Sequence, residues 1–170
     1  MLRKSIQIAV VTYLTVTPIR AQRPLVNPPV DPQHTIEANI PTPQGVVAIL
    51  QRACYDCHSN GTHWRWYSRI PILSSIIRSD VERARRILNF SEWSEHAGLK
   101  PAVAASTLMA GCASIQAGKM PKAPYPFFHA GARLSEQDKN QFCEWSKTEA
   151  MKLVEQRRKV ESSAGVDPGN

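Results

Sequence analysis

The chain has 170 residues, 42 % of them apolar and 21 % charged, enough for one domain with its own core and too apolar for wholesale disorder. The formal net charge of +7 falls to +4 without Arg3, Lys4 and Arg20 of the N-terminal leader, which holds no acid. The remaining bases are mixed with acids in "RARR" (83–86) and "EQRRKVE" (155–161), and no nucleic-acid-binding module is visible, which excludes nucleic acid as partner and points to solvated helix faces.

Residues 1–21 read as a signal peptide. Arg3 and Lys4 form a positive n-region, Ile6 to Val16 an apolar h-region, and Ile19-Arg20-Ala21 a cleavage site before Gln22. The apolar run is about half of the ~20 residues a spanning helix needs, so no stable membrane span is expected after cleavage, with an uncleaved anchor as the alternative. This implies a bacterial periplasm, where thiols oxidise. Residues 22–42, with prolines at 24, 28, 29, 32 and 41, read as an extended linker.

The folded domain is expected over 43–158, and period-2 alternation is too scarce for a sheet protein. Thr42-Pro43 reads as a cap and first helical residue, and Val46, Ile49 or Leu50, Ala53 and Cys57 repeat at helical spacing over 43–57. A loop rich in aromatics follows. Ile76, Ile77, Val81, Ala84 and Leu88 mark a second helix over 74–89, and a third runs over 101–117 to Gly118. Prolines then forbid regular structure in "KMPKAPYPFFHAGA" (119–132). Ser135 and Asp138 make a variant capping box for a last helix, whose apolar side (Phe142, Trp145, Leu153) persists to about residue 155. Residues 159–170 read as a flexible tail.

"RACYDCHSN" (52–60) carries the chemistry, a C-x-x-C-H string. Cysteines at i and i+3 with histidine at i+4 share one side of a helical turn, so two thiols can meet neighbouring vinyl groups while an imidazole meets the iron. Cys54 and Cys57 are therefore the expected thioether residues of one haem c, and His58 the proximal ligand. A thioredoxin-type dithiol would open a helix after a strand, whereas this pair closes one. Zinc would want a second ligand pair, and Cys112 and Cys143 stand apart. For the distal ligand Met120, in a proline-stiffened loop, leads, with His129 as competitor; Met109, mid-helix, reads as core. Trp64, Trp66 and Tyr67 would wall a haem or fill a core. Cys112 and Cys143 fall on the apolar stripes of the third and fourth helices, and a disulfide between them would close a loop of about 32 residues around Met120.

In order, "CYDCHSNGTHWRWYSRIPILS", "DVERARRILNFSEW" and "GKMPKAPYPFFHAGARLSEQDKNQFCEW" resemble the blocks of the small bacterial haem-binding domain family, over about residues 43–146. The resemblance implies an all-α, cytochrome c-like, monohaem domain, and it supports Cys54, Cys57, His58 and Met120. His129 matches a histidine that the family places before L-S, without a defined role, and Arg65 stands where proline is usual. The expected function is periplasmic electron transfer with an unidentified redox partner protein, and not enzymatic catalysis. The alternatives are a haem-based sensor or peroxidase-like protein with a labile distal ligand, and a haem module docking on a larger oxidoreductase.

Overall fold

The computed structural model describes residues 25–96 and 100–163, which are helical with no strand. The expected signal peptide and the end of the expected tail lie outside the described residues.

The segment read as an extended linker is part of the folded body. A 3-10 turn over Pro32–His34 leads into α1, Ile36–Asn39. Ile36 and Ile40, four residues apart, both sink into the core, Ile36 with no exposed surface. Prolines before and after that turn hold the chain extended enough to wrap the surface, while two branched apolar side chains supply the burial that keeps it there. Next to Ile40, the Trp145 indole donates to Pro41 O at 2.8 Å.

α2 spans Gln44–Ala53 and α3 Tyr55–His58, so the single helix expected over 43–57 is broken at Cys54 (φ −123°). Pro43 (φ −59°, ψ 147°) is the N-cap and not the first helical residue, and the Thr42 hydroxyl donates upstream to Ile40 O at 2.8 Å. Val46, Ile49, Leu50 and Ala53 bury the inner face of α2. α4, Pro71–Ile87, starts three residues before its expected position, with proline in the first turn where a missing N–H costs nothing. After α5, Trp93–His96, comes α6, Pro101–Gln116. Gly118 takes φ +65° and its N–H bonds Ile115 O, ending the helix as expected.

Residues 119–132 are less irregular than their prolines suggest. α7, Tyr125–Phe128, carries Pro126 in its first turn, and a 3-10 turn follows at Ala130–Ala132. α8 spans Glu136–Ser163 and opens on a reciprocal capping box: Asp138 N–H donates to Ser135 Oγ (3.1 Å), and Ser135 N–H to Asp138 Oδ2 (2.8 Å). The helix runs on through residues 159–163, read as tail, because i,i+3 and i,i+4 pairs such as Arg157–Glu161 support it beyond its last buried residue.

α6 and α8 pack along each other. Ala104, Ala105, Leu108, Cys112 and Ile115 face Phe142, Cys143, Trp145 and Ala150 in the core. There Cys112 and Cys143 have Cα atoms 4.9 Å apart and sulfurs at bonding distance. Met109 is not core: it is 43 % exposed, one residue round the helix from buried Leu108.

Candidate haem site

The C-x-x-C-H string occupies the single turn of α3, with the N–H groups of Cys57 and His58 both on Cys54 O (3.1 and 2.9 Å). Both cysteine sulfurs are unbonded. Burial pushes the Cys54 thiol up to about 12 and the Cys57 thiol up to about 11, with the neighbouring Cys57 and Asp56 respectively adding to the shift. A redox dithiol needs the reverse, a thiol pulled toward neutrality, so the pair is unsuited to disulfide exchange. Among the described residues no three His, Cys, Asp or Glu side chains gather to hold a metal, so the pair has no companions for zinc.

His58 is fixed by the end of α4. Leu88 is extended (φ −158°, ψ 124°), which turns its carbonyl out of the helical pattern and onto His58 Nδ1 at 3.0 Å. A carbonyl only accepts, so Nδ1 carries the ring proton and Nε2 keeps the lone pair. Burial holds the imidazole below its usual pKa against the opposing pull of the Leu88 and Ala84 carbonyls, which favours the neutral, ligating form.

The two residues inside the motif are anchored in opposite directions. The Tyr55 hydroxyl donates to Glu37 of α1. The Asp56 carboxylate accepts from the Tyr125 hydroxyl of α7 at 2.6 Å and from His63, by backbone N–H (3.0 Å) and Nδ1 (2.9 Å). Burial pushes the Asp56 carboxyl up, but the Tyr125 and His63 hydrogen bonds outweigh it and hold the group below the usual carboxylate range.

From Tyr125 the network continues outward. Its ring stacks on His129 (centroids 3.9 Å apart, 17° between planes), and its carbonyl accepts from His129 Nδ1 at 3.0 Å. The proton therefore sits on Nδ1 of the neutral ring, and Nε2 accepts from the Tyr67 hydroxyl at 2.7 Å. Met120 lies just beyond the end of α6, 39 % exposed, its N–H 3.3 Å from Ser114 O.

A model of the haem-binding domain family matches residues 9–148. The chain belongs to that family. Searches of the curated proteins and of the solved structures returned no match.

The residues of this haem-binding domain fit a haem. Besides two free thiols and an imidazole with its lone pair on Nε2, the elements flanking α3 present Trp66, Ile70, Leu73, Ile76, Phe127 and Phe128 as exposed large apolar side chains. The face of a porphyrin is large, flat and apolar, and side chains of this kind are suited to pack on it. Trp66, 76 % exposed, is therefore not core filler, whereas Trp64 is half-buried and donates to Asn27 Oδ1 at 3.0 Å. Ile76, read as part of a buried stripe on α4, is likewise exposed.

Sequence reasoning missed four contributors. The Leu88 carbonyl leaves no trace in a sequence, being backbone. Asp56 and Tyr125 were legible only as an acid between the cysteines and as an aromatic four residues before His129. Arg85, read as solvated, is a hub: it donates to Ser59 O (2.8 Å), Asn27 Oδ1 (3.0 Å) and Thr62 Oγ1 (2.8 Å), tying the loop after the motif to the N-terminal segment. Arg65 and Arg69 are exposed.

Proposed function

We propose that this haem-binding domain is a periplasmic monohaem c-type cytochrome that transfers electrons and is not itself an enzyme. The observation that carries the reading is the His58 ring, whose Nδ1 proton is committed to Leu88 O inside a C-x-x-C-H turn with two free thiols. Cys54 and Cys57 would hold the haem by thioethers, and His58 and Met120 would be the axial ligands. Once bound, the haem iron supplies a one-electron couple. The chain's own part is to orient His58 through Leu88, to wall the ring with apolar side chains, and to tie the attachment turn to the loop of Met120 through Asp56 and Tyr125. Met120 is favoured over His129 because both ring nitrogens of His129 are already bonded. The periplasmic assignment rests on the leader sequence. Among the described residues no helix is long and apolar enough to cross a membrane.

Expression with a cytochrome c maturation system, followed by the pyridine haemochrome spectrum of the denatured protein, should give one covalent haem per chain. Its absence would end the reading. The purified ferric protein should show a sulfur-to-iron charge-transfer band that Met120→Ala removes. Rapid carbon monoxide binding by the unmodified ferrous protein would favour instead a sensor or peroxidase-like protein, a reading that the exposure of Met120 keeps in play. The other alternative, a haem module docking on a larger oxidoreductase, is tested by co-purification of that partner.

A further inference from the structure

The segment between α6 and α8 carries both side chains weighed for the distal position, Met120 and His129. Fixing Met120 as the sixth ligand therefore requires something that disposes of His129. Imidazole is the stronger donor of the two, and the ring lies close to the attachment turn: it stacks on Tyr125, whose hydroxyl bonds Asp56 between the two cysteines. His129 is only half-buried, so packing alone does not immobilise it.

Hydrogen bonding does. With Nδ1–H on the Tyr125 carbonyl, the sole lone pair of the neutral ring is on Nε2, and the Tyr67 hydroxyl occupies it at 2.7 Å. Tyr67 belongs to a different element, the 3-10 turn Trp66–Arg69 that packs on α4, so the bond does not travel with the loop bearing His129. Its ring also meets His129 edge to face, with centroids 6.1 Å apart. We propose that Tyr67 is a ligand-selecting residue: by holding the Nε2 lone pair of His129, its hydroxyl keeps that imidazole from the iron and leaves the sixth position to Met120. This rests on the cytochrome reading above and adds to it a positioning residue that never touches the iron.

Removing the hydroxyl alone tests this, because Tyr67→Phe keeps the ring and its edge contact while freeing Nε2. In full-length ferric holoprotein, Tyr67→Phe should lose most of the sulfur-to-iron band while remaining low-spin. Its electron paramagnetic resonance spectrum should change from a histidine–methionine to a bis-histidine signal, and its reduction potential should fall. Adding His129→Asn should restore the band, an outcome that mere loosening of the fold would not give. An undiminished band in Tyr67→Phe overturns the proposal, as does a band lost there and not regained in the double variant. Bis-histidine ligation in the unmodified protein overturns both the proposal and the assignment of Met120. A five-coordinate unmodified protein overturns the Met120 assignment alone; the appearance of a bis-histidine signal in Tyr67→Phe would then still support the role of Tyr67, and its non-appearance would refute it.

Discussion

Ile36→Ala separates a packed N-terminal segment from a tether. Ile36 has no exposed surface and sits in the core with Ile40, Leu50 and Trp93. The substitution removes three carbons, about 2.4 kcal/mol at ~0.8 kcal/mol per buried methylene. The site is walled by helices on several sides and cannot collapse freely, so a cavity contribution brings the loss to roughly 3–4 kcal/mol. For a folded body of this size that corresponds to a fall in melting temperature of about 10 °C. Urea unfolding followed by circular dichroism and tryptophan fluorescence measures it, with coincident transitions and an unchanged slope as the check on two-state behaviour. Val26→Ala, at an exposed position of the same segment, should stay within about 0.5 kcal/mol. If Ile36→Ala is as mild as Val26→Ala, residues 25–42 do not belong to the core and the domain begins where the sequence alone would have put it.

Arg85→Ala should cost roughly 2–4 kcal/mol in the same assay, since it strips Ser59 O, Thr62 and Asn27 of a charged donor; a change below about 0.5 kcal/mol would mean that water replaces it freely. Replacing Cys112 and Cys143 together by serine should lower unfolding stability under non-reducing conditions by about 3–4 kcal/mol, and the same difference should vanish when both proteins are unfolded in reductant. In the haem-free chain His58 contributes a pH dependence of definite sign. Its folded pKa lies below the ordinary 6.5, so the unfolded chain takes up the proton first. Stability is then complete above about pH 6.5 and falls as the pH drops toward the folded value; urea midpoints across that range should decline, and His58→Gln should flatten the decline. Ser135→Ala, which removes one half of the α8 capping box, should cost about 1 kcal/mol, read from the same urea transitions.

Local signals were the legible part of this fold. Apolar spacing marked three of the four long helices, Gly118 marked the end of the other, and Ser135 and Asp138 marked a helix start, because each depends on residues within a turn or two of one another. The motif likewise supplies the three proposed site residues, since its chemistry is contained in five consecutive positions. What escaped was tertiary. Proline content made residues 22–42 look unstructured, yet Ile36 and Ile40 needed only a complementary surface elsewhere to fold the segment down. Ile76 and Met109 fit helical stripes as well as their neighbours do, but helix packing left them exposed. Tyr67 and His129 are 62 residues apart, and no local pattern announces that one ring donates to the other.

Under the covalent attachment proposed above, the anchoring of the motif would bear on when a haem is installed. In the finished fold Cys54 and Cys57 are half-buried, and the residues on either side of Cys57 are tied to partners far along the chain. His58 meets the Leu88 carbonyl across 30 residues, and Asp56 meets the Tyr125 hydroxyl across 69. Both partners lie C-terminal to the motif. A chain emerging from its N-terminus therefore presents C-Y-D-C-H as a free, solvated pentapeptide well before the segments that enclose it arrive. Attachment would thus run as a race with folding in which the motif has a head start, before Asp56 and His58 are tied into place.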